Sequence, residues 1–283
     1  MTSMVQQNTG PEEARSTSPA NGAEPSLWRR LQKYRRKRVK KFGKRLIRVT
    51  LSDFFQKQSL VSTEPFVDPA EIPQLMELEK HWRVVRAELE EILKFREAIP
   101  GFQDISPDQR HLATEKNWRT FVLYGFGRKI EENCKQAPET TRLMEQIPGI
   151  RTVWFSILAP HYHIPEHRGV SRAMLVSHLA LIIPGDGSEC RIRVHDQTRN
   201  WREGKVLIFD DNYLHEVWND SGKERVVLFM NLDRPMRFWG RQVHALFLFL
   251  LQFSAFYKEP AANLKKFAHR FAAAKNDSST TDV

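Results

Sequence analysis

The stretch WREGKVLIFDDNYLHEVWNDSGKERVVLF, residues 201–229, decides the fold. It contains two short runs of branched, aromatic and aliphatic residues, KVLIFD and ERVVLF. Glycine-containing turns, WREG at 201–204 and NDSG at 219–222, precede each run. Runs of this length bounded by turn residues are typical of β-strands. No helix is predicted between these runs, so we expect strands that follow one another without intervening helices.

The chain upstream of this stretch has the same character back to about residue 150. Three further runs predict strands, namely RTVWFSIL, AMLVSHLALII and CRIRVHD, with PGDG at 184–187 as another turn. Successive short strands without intervening helices are typical of a barrel or a jelly roll. We therefore predict a mainly β fold with flanking helices, a double-stranded β-helix (jelly roll, cupin-like).

Helices are predicted before this β region. Residues 70–97 have apolar residues at three- and four-residue spacing, which favours one or two helices. A further helix is predicted over Lys129–Gln146, before Pro148 and Gly149. The interpretation is one domain over residues 60–236, with its jelly-roll core from about residue 150.

The net charge of +10 belongs to one segment. Residues 29–48 hold twelve Lys or Arg and no acid, so the remainder is near −2 (10 − 12). Residues 1–26 are polar and predicted to be disordered, as are residues 276–283. Residues 27–50 have the pattern of a basic amphipathic helix, and Arg29–Arg48 suits an anionic membrane surface. Nucleic acid is a less favoured partner, and a solvated arm is the alternative without a partner.

The C-terminal region, residues 237–275, predicts an apolar helix followed by a basic one. Its apolar part, VHALFLFLLQFSAFY (Val243–Tyr257), is shorter than the roughly 20 residues that span a bilayer. Binding at the membrane interface and packing on the domain both remain open for it. The N-terminus has no signal-peptide pattern and the chain has two cysteines, which favours a cytoplasmic location, with peripheral binding at the inner membrane face as an alternative. The oligomeric state is not predicted.

Six of the ten histidines lie in the predicted strand region. His167 lies at a turn that enters a strand, and His215 follows the strand KVLIFD and its turn. Arg225 begins the next strand, which places all three near one open end of a barrel. Fe(II) accepts imidazole ligands, and an arginine fork suits the carboxylate of a cosubstrate. No role is assigned to His161 or His163.

Two segments carry a resemblance to a known family. KNWRTFVLYGFGRKIEENCKQAPET (116–140) and residues 201–229, above all GKVLIFDDNYLHEVW, closely resemble the aspartyl/asparaginyl β-hydroxylases, which are Fe(II)- and 2-oxoglutarate-dependent dioxygenases. The resemblance runs from about Leu112 to Pro235. It implies hydroxylation of an unactivated C–H bond, with Fe(II), 2-oxoglutarate and O₂ as cofactors.

The resemblance also implies site residues. His167 and His215 would bind iron; the 2-oxoglutarate contacts would be Ser156, His178 and Arg225, and Trp118 would line the active site. Family members hold iron with two histidines and have a glycine at the usual carboxylate position, which is Gly169 here. One departure is Val176, where the family often has arginine. Arg172, Arg191 or Arg193 are candidates for that charge, and the face on which Arg193 and His195 lie is left open.

Substrate is the least determined property. The resemblance favours Asp or Asn side chains of a peptide, and the runner-up is 2-hydroxylation of a lipid A or other membrane acyl chain. A non-catalytic jelly-roll binding module is the alternative from another class.

Overall fold

The computed structural model describes residues 51–169, 171–251, 253, 263–264 and 266–275. The predicted tails and the predicted basic helix, residues 1–26, 27–50 and 276–283, lie outside these residues. The described helices are α1 (Ser52–Gln58), α2 (Pro73–Leu93), α3 (Phe102–Ile105), α4 (Glu131–Cys134), α5 (Pro138–Glu145) and α6 (Phe238–Leu251). Residues 263–264 and 266–275 are also helical.

The described strands before the long β region are β1 (Phe66–Val67), β2 (Trp118–Gly125) and β3 (Arg128–Lys129). The strands that follow are β4 (Ile150–Leu158), β5 (Tyr162–His167), β6 (Met174–Ile182), β7 (Cys190–Val194), β8 (Gln197–Asn200), β9 (Val206–Phe209), β10 (His215–Asn219) and β11 (Arg225–Asp233).

From β4 onward the strands form two facing antiparallel sheets. One sheet has the order β1-β9-β6-β11-β4-β2-β3 and the other the order β5-β10-β7-β8. The chain crosses between the sheets in the order of a jelly roll, so that β4, β6, β9 and β11 lie in one and β5, β7, β8 and β10 in the other. This strand order confirms the predicted double-stranded β-helix.

The predicted helix over residues 70–97 is present as α2, but the prediction of one helix over Lys129–Gln146 is wrong. The chain forms α4 and then α5, with a break at Ala137, whose φ of −139° and ψ of 64° are not helical. The physical reason is Pro138, because the ring of a proline disfavours helical geometry in the residue before it.

Alternation along the strands separates two cores on the two faces of the larger sheet. On β6, Leu175, Leu179 and Leu181 belong to the outer core, against which α2 packs. Val176 and Ala180, on the opposite face, belong to the inner core between the sheets. His178 has the same parity as the inward residues, so the strand period of two directs it into the barrel.

Helix α6 lies against the barrel through one face. His244 is buried, and its Nε2 lies 2.8 Å from Asp233 Oδ1 at the end of β11. Within the part of Val243–Tyr257 that the structure describes, His244 therefore fixes one side of α6 against the domain. Within the described ranges, no helix combines the length and apolarity that would be needed to cross a bilayer.

Candidate active site

His167 and His215 meet at one end of the barrel. His167 is the last residue of β5 and His215 the first of β10, and the antiparallel pairing places them opposite each other. Their ring centroids are 4.1 Å apart. The two strands thus bring together two imidazoles from distant parts of the chain.

Backbone hydrogen bonds orient both rings. His167 Nδ1 lies 2.8 Å from the carbonyl oxygen of Pro165, and His215 Nδ1 lies 3.0 Å from that of Tyr213. A carbonyl oxygen only accepts, so each Nδ1 carries the proton and each Nε2 keeps a free lone pair. Burial lowers the pKa of His167 and lowers that of His215 to about 3, which keeps the rings neutral. Neutral imidazoles held through Nδ1 are in the form that binds a metal ion.

Asp211 fills the space beside Gly169, and sequence reasoning missed it. A Cβ atom built on Gly169 would lie 2.1 Å from Asp211 Oδ2, so only glycine leaves room for this carboxyl group. Burial, reinforced by the neighbouring Asp210, raises the pKa of Asp211 to about 8. Its Oδ1 has no hydrogen-bond partner among the described residues. The signal in the sequence was the doubled Asp four and five residues before His215.

The described residues contain no group of three or more His, Cys, Asp or Glu arranged to hold a metal ion. The metal-binding groups at this point are therefore two imidazoles, with Asp211 beside them. Two ligands leave several positions of an octahedral ion open to other molecules.

A buried polar pocket lies deeper in the barrel. Arg225 Nε and Nη1 and both ring nitrogens of His178 are buried without a partner in the described part of the chain. The guanidinium carbon of Arg225 lies 4.7 Å from the centre of the Trp201 ring, and the Nε1 of Trp201 is also unpartnered. Burial lowers the pKa of Arg225 to about 10, so it remains a cation at neutral pH. Unpartnered buried donors of this kind fit an acidic ligand, whose oxygens would accept from them.

Ser156 and Trp118 lie together at the edge of this pocket. The indole Nε1 of Trp118 donates to Ser156 Oγ at 2.9 Å, and the Trp118 ring stacks on Phe102 at 4.0 Å. Ser156 lies opposite Val227 on β11, two residues beyond Arg225 on the same face. The structure therefore brings Ser156, His178 and Arg225 to one inner region, while Trp201 was not foreseen from sequence.

None of the three candidate arginines supplies the charge absent at Val176. Arg191 pairs with Asp220, and Arg193 pairs with Glu216, on the outer face of the smaller sheet. His195 is exposed beside Asp196, so Arg193 and His195 look outward.

Arg172, the third candidate, hydrogen-bonds to Gln56 and lies over the ring of Tyr213. His161 is exposed, and His163 stacks on Trp218 at 4.9 Å and hydrogen-bonds to Glu216. These contacts are structural.

A cavity of about 500 Å³ begins at the two histidines. Near the metal-binding end it is lined by His167, Gly169, Asp211, His215 and Trp118. Its walls are otherwise largely apolar and include Val122, Trp154, Val176, Phe209 and Phe229. It extends to Phe247, Leu248 and Phe249 of α6 and to Leu264.

The polar pocket lies behind one wall of this cavity. The ring of His178 is 5.2 Å from Phe209 and 5.3 Å from Phe229, both of which line the cavity. The barrel interior thus contains a small region of unpartnered polar groups and a larger, mainly apolar cavity that includes the histidine pair.

Comparison with known proteins gives a consistent result. Residues 79–235 match the family model of aspartyl/asparaginyl beta-hydroxylase. The chain is 42% identical to an ornithine lipid ester-linked acyl 2-hydroxylase of Rhizobium tropici over 217 residues, 77% of each protein. It is 36% identical to human aspartyl/asparaginyl beta-hydroxylase over 163 residues, which are 56% of this chain but 21% of the human protein.

Among solved structures, a Pseudomonas putida prolyl-4-hydroxylase overlaps 55% of this chain and 88% of its own, at 20% identity and a TM-score of 0.33. The fold assignment rests on the strand order and not on this overlap.

Proposed function

This chain belongs to the aspartyl/asparaginyl β-hydroxylase family and is an oxygenase, and we propose that it uses Fe(II), 2-oxoglutarate and O₂ to hydroxylate an acyl chain of a membrane lipid. The resemblance predicted from sequence is confirmed, whereas the cofactors, the substrate and the roles of individual residues are parts of the proposal.

Fe(II) fits the site because His167 and His215 present two free Nε2 lone pairs side by side. 2-Oxoglutarate fits because Arg225 and His178 are buried with nitrogens that have no hydrogen-bond partner among the described residues. Together the cofactors supply the oxidising power that turns a C–H bond into C–OH, one oxygen atom going to the substrate and the other to succinate, with release of CO₂.

The residues of the chain would bind, orient and exclude water. Arg225 would hold the far carboxylate of 2-oxoglutarate through its fork, with Ser156 and His178 beside it. Asp211 would place its carboxyl group beside Gly169, at the position where related sites have a ligand carboxylate. Phe209 and Phe229 would separate this polar pocket from the substrate cavity and keep water away from it.

The observation that carries the choice of substrate is the largely apolar cavity that extends from His215 to α6, whose lining also includes Arg128, Arg151 and Arg168. Burial of each methylene group contributes about 0.8 kcal/mol, so a chain of carbon atoms gains affinity all along such a cavity. Thr120 and Trp154 line this cavity, and their Oγ1 and Nε1 atoms are buried and unpartnered within the described chain. They would satisfy one polar group of the substrate, such as the carbonyl oxygen of an ester.

Asp or Asn side chains, the substrate class that the sequence favoured, remain the second candidate. The observation in their favour is the two-histidine set with Gly169, which the family resemblance connects with peptide hydroxylation. A short polar side chain would leave most of the apolar cavity empty, which is why we place it second. The third hypothesis, a non-catalytic binding module, is set aside because the chain belongs to a family of hydroxylases.

The test is turnover of defined substrates by the full chain with Fe(II), 2-oxoglutarate and ascorbate. We expect mass spectrometry to show one added oxygen atom on an ester-linked acyl chain of a polar lipid, with stoichiometric succinate. His215→Ala should abolish both products and Mn(II) binding, whereas His195→Ala, at an exposed histidine, should retain them. Oxidation of Asp- or Asn-containing peptides with no change in any lipid would overturn the acyl-chain proposal and support the second candidate.

A further inference from the structure

Helix α6 presents a row of large apolar side chains to solvent. Trp239, Leu246, Phe249 and Leu250 are between 56% and 67% exposed, and we call these four residues the α6 face. At 3.6 residues per turn they fall within an arc of about 100°. A contiguous exposed apolar surface of this kind marks an interaction site.

The orientation of this face is set by the other side of the helix. His244 is buried against Asp233 and packs on the ring of Phe55, 6.0 Å away. Gly240 lies so close to α1 that a Cβ atom there would be 2.7 Å from Gln58 Cβ. Rotating the helix to bury the α6 face would break these contacts, so its exposure belongs to the folded domain.

The α6 face borders the substrate cavity. Phe247, Leu248 and Phe249 line the same cavity as His167 and His215. Phe249 is also 56% exposed, so one side chain belongs to both the cavity wall and the outer surface. Whatever covers the α6 face therefore lies at an entrance to the active-site cavity.

The charge of the C-terminal helices indicates what covers the α6 face. Neither α6 nor the helical residues 263–264 and 266–275 contain Asp or Glu. Arg241, Lys266 and Arg270 are exposed on these helices, and Arg128 is exposed at the cavity. An apolar face with cations and without acids is complementary to an anionic lipid surface, in which apolar groups enter the acyl region and cations meet the headgroups.

The length of α6 determines how it would bind. Its 14 residues extend about 21 Å at 1.5 Å per residue, which is less than the roughly 30 Å of a bilayer core. The helix would consequently lie in the plane of the membrane, with Trp239 at the level of the headgroups, where tryptophan is enriched.

We propose that the α6 face docks in the plane of an anionic bilayer and opens the substrate cavity directly to the leaflet. Docking is independent of the reaction. The second part, entry of an acyl chain from the leaflet without passage through water, rests on the proposed function.

The test of docking places a polarity-sensitive fluorophore on the α6 face of the full chain. Cys134 and Cys190 are buried, so Leu246→Cys can be labelled selectively. Val84→Cys on α2, where Val84 is 43% exposed, is the matched control. With vesicles of phosphatidylcholine and phosphatidylglycerol we expect a blue shift at position 246, a smaller one with phosphatidylcholine alone, and none at position 84.

Two results would overturn docking. One is an unshifted label at position 246 on protein that sediments with the vesicles, which would assign binding to another part of the chain. The other is a shift without vesicles together with a dimer in light scattering, which would assign the α6 face to a second copy. The fluorescence shift and the light scattering do not depend on activity towards lipids. Failure of docking can therefore be distinguished from failure of the proposed function.

The delivery step has a separate test. In the triple variant Trp239→Ser, Leu246→Ser, Leu250→Ser, turnover of lipid in vesicles should fall at least about tenfold, because three apolar side chains no longer enter the membrane. Turnover of the same lipid dispersed in detergent should stay unchanged, since these three residues do not line the cavity. Equal loss in both assays, or no loss in either, would contradict entry from the leaflet.

Discussion

Replacing Arg225 by methionine should stabilise the protein without its cosubstrate and, at the same time, abolish tight binding of 2-oxoglutarate. Arg225 is 1% exposed, and its Nε and Nη1 have no acceptor among the described residues. A buried unsatisfied donor of a charged group costs about 1–3 kcal/mol, so two such donors cost about 2–6 kcal/mol. The contact with the Trp201 ring returns up to about 2 kcal/mol. Methionine fills a similar volume without these penalties.

The expected gain in the free energy of unfolding is about 2 kcal/mol, which raises Tm by roughly 4–8 °C in a domain of this size. The loss in binding free energy is larger, because two charge-assisted hydrogen bonds contribute about 3–6 kcal/mol. Their removal should lower the affinity for 2-oxoglutarate at least about 100-fold. A ligand-binding site is expected to gain stability and lose affinity on this substitution, because the ligand and not the fold supplies the hydrogen-bond acceptors for the arginine.

Thermal unfolding with Mn(II) in place of Fe(II), with and without 2-oxoglutarate, measures both effects. At a concentration of about 100 Kd the ligand should stabilise the wild type by about 2.7 kcal/mol and leave Arg225→Met unchanged. Arg193→Met, which removes an arginine from the outer sheet face, should leave the ligand-induced shift intact. A less stable Arg225→Met that still responds to 2-oxoglutarate would refute the reasoning, because Arg225 would then be a structural residue.

Three further changes test other parts of the site. Gly169→Ala places a Cβ atom 2.1 Å from Asp211 Oδ2, which should cost about 1–3 kcal/mol of stability and weaken Mn(II) binding. Gly222→Ala is the control, because nothing lies within 4 Å of a Cβ atom there, and it should change neither property. Equal behaviour of the two variants would argue against a role for Asp211. Thr152 lines the cavity, and Thr152→Trp would fill part of it. Turnover should fall for long acyl chains and persist for short ones, and a uniform loss would contradict an extended chain in the cavity. Burial alone would raise the pKa of Asp233, but its hydrogen bonds from a histidine of α6 and an arginine of β4 hold that pKa below its usual value. The stabilisation that this lowered pKa gives the folded protein is complete above the pKa of Asp233 in the unfolded chain, and it is lost as the pH falls below about 4. Asp233→Asn should flatten the dependence of Tm on pH in that range, and an unchanged slope would count against the assignment.

Local pattern determined the secondary structure of the barrel and the inward direction of several site residues. Alternation in MLVSHLALI places His178 on the face opposite Leu175 and Leu179, because the side-chain period of a strand is two. The turn DDNY before His215 is likewise predicted by the sequence. The prediction of one helix over Lys129–Gln146 failed because Pro138 disfavours helical geometry at Ala137, which divides the segment into two helices.

Tertiary structure alone decided which side chains of the site are neighbours. His167 and His215 are 48 residues apart (215 − 167), and only the pairing of β5 with β10 brings their rings to 4.1 Å. The contact of Asp211 with the space beside Gly169 depends on the packing of two loops, which no spacing in the sequence encodes.

The same holds for charged and apolar surfaces. The outward direction of Arg193 and the division of α6 into a buried and an exposed face follow from sheet register and helix packing. The physical reason is that strand and helix periods are local properties of the backbone, whereas the neighbours of a side chain are set by the joint packing of segments that are distant in sequence.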